Sequence, residues 1–273
     1  MSTAERRANG PGAVVLVSGG LDSTTALAIT LAQECAPIVA LSFEYGQRHV
    51  VEIAAAKRVC RYYGVRDHVV IPLGLGTIGA SSLTDMAIEV PKDRLAIQRA
   101  SGEGAPLTTI PTTYVPARNT IFLAIALALA EARGIDRLVI GANALDYSGY
   151  PDCRPEYFRA FESLAALATR EGVEGRATYR IDAPLLHLTK ADIVREGMRL
   201  GAPYALTHSC YDPVMASSSA GAIDSQTGSR DYPSDLVACG RCDSCVLRLR
   251  GFAQAGCIDP ITYATRVLDF SQS

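Results

Sequence analysis

Short apolar runs of strand length alternate along most of this chain with longer segments of helical periodicity, and that alternation admits few folds. Strands read over 13–17, 38–43, 67–71 and 137–141, with a short fifth over 179–182. Helices read between them. Residues 23–34 place Leu27 and Leu31 one turn apart, and 49–63 align Ile53, Ala56, Val59 and Tyr63 on one face. A strong helix covers 119–133. Another covers 155–170, with Pro155 at the first position, where no amide donor is missed. A further helix begins at Thr189, with Asp192 three residues on as its capping partner. Strands alternating with helices predict an α/β fold, a doubly wound parallel sheet with helices on both faces. Ligands then bind beyond the carboxyl ends of the strands. No internal repeat is visible.

Two stretches break the pattern. Residues 74–116 are polar and rich in Gly and Pro, an excursion from the core. Residues 215–233 are rich in Ser, Ala and Gly without periodicity, and read as a mobile surface loop. The expected organisation is a nucleotide- and substrate-binding domain over 13–205 and a small metal-binding subdomain over 206–263. Flexible tails lie at 1–12 and 264–273. With 26 basic against 28 acidic side chains the net charge is -2, which disfavours a general nucleic-acid or membrane-surface binder. The longest apolar run, 121–130, is about half what a membrane span requires. The stretch 13–17 is too short for a signal-peptide core, so a cytoplasmic location is expected.

The segment after the first strand carries the chemistry. Ser18-Gly19-Gly20-Leu21-Asp22-Ser23-Thr24-Thr25 runs straight from strand into helix. Its glycines let the backbone turn tightly and present N–H groups, its hydroxyls add donors, and the helix N-terminus adds partial positive charge. This is a cradle for phosphate or pyrophosphate. Asp22 would repel a bare anion, so it either orients loop amides or holds Mg²⁺ beside phosphate oxygens. The S-G-G-x-D-S order resembles the PP-loop ATP pyrophosphatases and differs from a Walker loop, which ends in G-K-[ST]. Residues 74–79 also fit G-x-G-x-x-G, but no clean helix follows, as a dinucleotide site requires.

Eight cysteines in a long chain without a secretion signal argue against a disulfide scaffold. Cys239, Cys242 and Cys245 stand at C-x2-C-x2-C, so their sulfurs can converge on one ion. Tetrahedral zinc needs a fourth ligand. Cys257 lies twelve residues past Cys245 through a helical pattern, about 18 Å at ~1.5 Å per residue, and is too far. Cys210 is the better partner, with His208 in reserve. Arg241 and Arg248 are placed to offset the charge of a four-thiolate centre. Cys35 and Cys60 read as core residues, His68 as a packed or surface histidine, and Cys153 is unassigned.

The resemblance extends further. Residues 43–49 (Phe-Glu-Tyr-Gly-Gln-Arg-His), 114–119 (Tyr-Val-Pro-Ala-Arg-Asn), 146–154 (Asp-Tyr-Ser-Gly-Tyr-Pro-Asp-Cys-Arg) and 239–245 (Cys-Gly-Arg-Cys-Asp-Ser-Cys) resemble, in order, the motifs of the 7-cyano-7-deazaguanine synthase family. The likeness spans 14 to about 263, and one departure is the 215–233 segment, longer than expected between the first zinc cysteine and the other three. It implies a PP-loop, adenine-nucleotide-hydrolase-like fold with a zinc-binding C-terminal subdomain, and a ligase of queuosine and deazapurine biosynthesis. Such an enzyme converts 7-carboxy-7-deazaguanine and ammonia to the nitrile, through an adenylated carboxylate and an amide. Its cofactors are one structural Zn²⁺, on Cys210, Cys239, Cys242 and Cys245, and Mg²⁺ with ATP as co-substrate. Its partners are small molecules, with no nucleic acid and no membrane, and a homodimer stays open.

On this reading Val17, Ser18, Gly19, Gly20, Leu21, Asp22, Ser23, Thr24, Thr25, Ala26 and Leu27 bind the nucleotide. Asp22, Ser23, Arg118 and Lys190 are catalytic. Tyr45, Gln47, Arg48, Arg118, Asn119, Asp146, Tyr147, Ser148, Gly149, Tyr150, Asp152 and Arg154 take the substrate. Arg118 and Asn119 open a helix whose free amides suit an anion, with Asn119 as plain N-cap in the competing view. Asp146 and Asp152 can accept from the N–H edge of a guanine-like ring, Tyr147 or Tyr150 can stack on it, and Arg154 can pair with its carboxylate. Arg48 and Lys190 are candidates to neutralise phosphate charge. Two rivals remain: a PP-loop tRNA sulfur transferase with an iron–sulfur cluster or persulfide, and a non-enzymatic nucleotide-binding module with a zinc ribbon.

Overall fold

The computed structural model describes residues 12–46, 51–94, 110–145, 150–216 and 236–265. Five parallel strands form the sheet: β1 (Ala13–Leu16), β2 (Ile38–Glu44), β3 (His68–Pro72), β4 (Arg137–Val139) and β5 (Arg180–Asp182), in the order β3-β2-β1-β4-β5. Val14 stands opposite Val39 on one side and Leu138 on the other, and Leu138 opposite Ile181. The chain leaves β1 toward β2 and β3, then returns past it to β4 and β5. The switch in direction therefore falls between β1 and β4, where an open α/β sheet gapes at its carboxyl edge.

Strand alternation divides the core into two layers. Val14, Leu16, Leu41 and Leu138 face α3 (Arg118–Arg133) and α4 (Pro155–Ala168), which contribute Leu123, Ala126, Phe158 and Phe161. Ala13, Val15, Val17 and Val139 face the opposite layer. It consists of α1 (Leu21–Ala32), α2 (Val51–Tyr62), α6 (Lys190–Arg199) and α7 (Asp243–Gln254), through Leu27, Ala56, Val59, Ile193 and Phe252. A short α5 (Arg170–Val173) follows α4. Each fully buried Val or Leu stabilises by about 1.5–3 kcal/mol, and a strand slip of one residue would exchange the side chains of the two faces and spoil the packing of both layers.

The expected strands and helices are present, with boundaries moved by up to two residues. Pro155 occupies the first turn of α4, and Thr189 with Asp192 forms a reciprocal capping box on α6. Residues 75–77 make one 3-10 turn and no helix follows over the described residues 78–93, which removes the dinucleotide reading of 74–79. A two-stranded ribbon, β6 (Val214–Met215) against β7 (Leu236–Val237), leads into the cysteine region. Most of the 215–233 loop lies outside the described residues. Among the described residues no helix is long and apolar enough to cross a membrane.

Candidate active site

The turn after β1 lies at the switch point. Gly19 has φ +82°, and a Cβ there would stand 2.4 Å from Ala56 N and 2.6 Å from Glu52 O. Only glycine lets the turn rest against α2. The hydroxyls close the turn on itself. Ser18 N–H donates to Ser23 Oγ at 3.1 Å, and Ser23 Oγ donates to Gly20 O at 3.2 Å. Helix α1 begins at Leu21, inside the loop.

A cavity runs from this turn across the carboxyl ends of β1, β2 and β4. Val17, Ser18, Gly20, Leu21, Asp22 and Ser23 line it. Gly19 contributes backbone against α2. Thr24, Thr25, Ala26 and Leu27 are buried in α1, and Thr25 Oγ1 bonds Leu21 O and Tyr204 Oη. Those four support the cradle from behind and do not wall the cavity.

Lys190, the first residue of α6, places Nζ 2.9 Å from both carboxylate oxygens of Asp22. Asp22 thus faces the ammonium. Helix α7 crosses here, and a Cβ on Gly251 would meet Lys190 Cγ at 2.4 Å. That close approach requires glycine in the middle of a helix.

The far wall is built on α3. Ala117 caps it at φ 51° and Arg118 opens it. Its first amides are not free, contrary to expectation. Asn119 N–H donates to Asp152 Oδ2 at 3.0 Å, and Asn119 Nδ2 donates to Asp152 O and Cys153 Sγ. Asn119 is thus not the N-cap. Asp152, buried beneath it, anchors the helix start, while Arg154 is exposed at the N-cap of α4, and neither lines the cavity. Tyr45, Arg118, Asn119 and Tyr150 do line it. Arg118 Nη1 donates to Tyr45 Oη at 3.3 Å, and Tyr150 Oη pairs with Thr113 Oγ1 at 3.1 Å. Gln47, Arg48, Asp146, Tyr147, Ser148 and Gly149 lie outside the described residues.

Glu52, which sequence reasoning passed over, lines the same cavity from the first turn of α2. Burial lifts its carboxyl to about 7, against the pull of Arg118. An acid in a helix's first turn looks like ordinary dipole compensation, so no local signal marked it. Tyr45 is pushed up to about 12 by burial and by Glu52. Burial likewise raises the Cys153 thiol to about 12, which leaves it unreactive near neutrality. His68 is packed, its Nε2 2.8 Å from Ser42 Oγ.

Cys210, Cys239, Cys242 and Cys245 bring their Sγ atoms within 4.8 Å of one another, all buried. Sγ separations are 3.9 Å for Cys210–Cys242 and 4.0 Å for Cys239–Cys245. Four sulfurs about 2.3 Å from one tetrahedral ion lie about 3.8 Å apart, so the set fits a single metal ion. Backbone N–H groups of Cys239, Arg241 and Cys242 point at the sulfurs of Cys210 and Cys239, at 3.2–3.4 Å. His208 is not in the quartet, and neither is Cys257.

The two arginines expected to offset the sulfur charge do lie within its reach, Arg241 near Cys239 and Arg248 near Cys245; each is also held by a carboxylate, Arg241 by Asp93 and Arg248 by Asp259 at 2.7 and 2.9 Å. The excursion after β3 supplies a clamp that sequence reasoning missed. Lys92 bridges to Cys242 through backbone, and Arg94 binds Asp243 at 2.5 and 2.9 Å.

The profile of the family described as queuosine biosynthesis protein QueC matches residues 12–256. Three curated proteins called 7-cyano-7-deazaguanine synthase are similar over nearly their full lengths. That of Solidesulfovibrio magneticus is 54% identical over 251 residues, 92% of this chain and 95% of its own. That of Geobacter metallireducens is 53% identical over 253 residues, 93% of each chain. That of Geobacter sulfurreducens is 54% identical over 253 residues, again 93% of each.

Proposed function

This chain belongs to the queuosine biosynthesis protein QueC family, and from that premise we propose that it makes 7-cyano-7-deazaguanine from 7-carboxy-7-deazaguanine, ammonia and ATP. One observation carries the reading: a hydroxyl-lined turn suited to pyrophosphate and a wall bearing Arg118 and Glu52 face one cavity at the switch point of the sheet.

The chemistry follows from the substrate. Its carboxylate attacks the α-phosphate of ATP, and pyrophosphate leaves. Ammonia attacks the acyl adenylate; AMP leaves, a proton is lost, and the amide forms. The amide oxygen then attacks a second ATP at the α-phosphate, and pyrophosphate leaves again. Departure of AMP and loss of the N–H protons yield the nitrile.

Residues 18–23 hold the leaving pyrophosphate through amides and hydroxyls. Asp22 would hold Mg²⁺ with the nucleotide, which would add positive charge beside the phosphates. Lys190, paired with Asp22 in the free site, turns to the phosphates when nucleotide enters. Arg118 binds the substrate carboxylate, and Tyr45 and Tyr150 flank its ring. Gln47, Arg48, Asp146, Tyr147, Ser148 and Gly149 complete the substrate pocket. Asn119 and Asp152 act indirectly, by fixing the turn from which Arg118 projects. Glu52 takes the protons released at the amination and dehydration steps. The cysteine quartet holds one structural zinc, in a region over 206–263 that buttresses the nucleotide and substrate domain over 13–205.

Mass spectrometry tests this reading. The chain, given ATP, ammonia and a panel of deazapurine acids, should convert 7-carboxy-7-deazaguanine to the nitrile. Insertion of sulfur into tRNA, with the acid left untouched, would establish the thiolation reading instead.

A further inference from the structure

The segment that delivers Cys210 to the metal quartet also touches the nucleotide loop. His208 N–H donates to Gly19 O at 2.9 Å, and Leu21 N–H donates to Ser209 Oγ at 3.1 Å. Leu21 carries one of the opening amides of α1, which no carbonyl within the helix can satisfy. Gly19 is the residue at φ +82° that makes the turn.

Ser209 is held from its other side by α7. Ser244 Oγ donates to Ser209 O at 2.6 Å, and Arg248 Nη1 donates to Ser209 Oγ at 3.2 Å and to Thr207 Oγ1 at 2.7 Å. Arg248 is 2% exposed, locked by Asp259, with its guanidinium 5.5 Å from the centre of the Phe252 ring. Ser209 adjoins the ligand Cys210, and Ser244 adjoins the ligand Cys245. Thus the neighbours of two metal ligands meet directly under the turn that binds pyrophosphate.

We propose that Ser209 is a positioning residue that couples the metal centre to nucleotide binding. The inference rests on the zinc and nucleotide readings above. Metal fixes Cys210 and Cys245; their neighbours fix Ser209; Ser209 and His208 hold the Leu21 amide and the Gly19 carbonyl in the shape that receives pyrophosphate. Without metal the 207–210 segment loses its anchor, and the turn loses two contacts. Coupling of this kind is reciprocal, so nucleotide must tighten zinc by the factor with which zinc tightens nucleotide.

The test uses the zinc-loaded protein and α,β-methylene-ATP, which cannot be cut at the α-phosphate. Zinc affinity is measured by competition with a zinc-selective chelator. Saturating nucleotide should raise it about tenfold. Ser209→Ala should still purify with zinc, yet the effect of nucleotide should fall below about twofold. Ser209→Thr, which keeps the hydroxyl, should restore it. Zinc affinity indifferent to nucleotide in the parent protein, or full coupling in Ser209→Ala, overturns the proposal. A chain isolated without zinc, or without affinity for the nucleotide, overturns the reading beneath it and the proposal too.

Discussion

Replacing Cys242 with Ser should leave a chain without zinc and with much lower stability. Cys242 is fully buried and sits within 4.8 Å of the other three sulfurs. A serine hydroxyl is a poor zinc ligand, and three thiolates crowded without a cation repel one another in a low-dielectric site. The apolar cluster around them is small, with Val90, Ala238 and the cysteines as its buried members, so the metal would be a large part of what orders the four sulfurs. Loss of a structural metal belongs among changes above about 4 kcal/mol. At about 2–4 °C per kcal/mol for a domain near this size, the unfolding midpoint should drop by about 8–16 °C. Elemental analysis and thermal unfolding check it. Full zinc occupancy in the variant would remove the quartet as the metal site.

The second large effect falls on Glu52. As a base it must be ionised, and its carboxyl is lifted to about 7, so turnover at saturating ammonia should rise with pH and level off above about 7. Arg118 and Tyr45 are the groups facing it: the guanidinium pulls the carboxyl down, and burial outweighs it. Glu52→Gln should lower turnover by about 10²–10⁴-fold and erase that limb of the profile.

Stability moves in the opposite sense. A carboxyl raised from 4.5 to about 7 favours the folded state while protonated, and that contribution is lost as pH climbs through about 7. Glu52→Gln, a permanent mimic of the neutral acid, should therefore be more stable than the parent above pH 7. A parent pH profile with no limb near 7, or a Gln variant at full speed, would exclude Glu52 as the base.

Sheet and nucleotide turn were legible because their causes are local. Residues 13–17 are apolar without interruption, and Gly19 sits where the turn needs positive φ. Thr189 and Asp192 announce α6 by their own side chains. Misreadings came where distant residues decide. Helix α1 starts at Leu21, ahead of the expected Ser23, and its opening amide is met by Ser209, 188 residues away. The start of α3 read as offering free amides to an anion, with Asn119 as its cap in the competing view, yet Ala117 takes the left-handed turn and Asp152 binds the Asn119 amide from across 33 residues.

Charge partners were the least legible. Arg241 and Arg248 sit beside cysteines in sequence, but their carboxylates, Asp93 and Asp259, come from the excursion after β3 and from beyond α7. Glu52 is polar at a helix start, a place where acids are common for reasons unconnected with catalysis. Only the wall opposite, built by α3, turns it into a cavity residue.

The central claim is that one site activates two oxygens in turn by attack at the α-phosphate. It is tested most directly by phosphorus NMR of the spent nucleotide, read against nitrile formed from 7-carboxy-7-deazaguanine and ammonia. Two AMP and two pyrophosphate should appear for each nitrile, and one of each when the 7-amide is supplied in place of the acid. ADP and orthophosphate as the primary products would contradict the reading of the turn at 18–23. A nitrile formed from the acid with a single AMP would contradict the second activation.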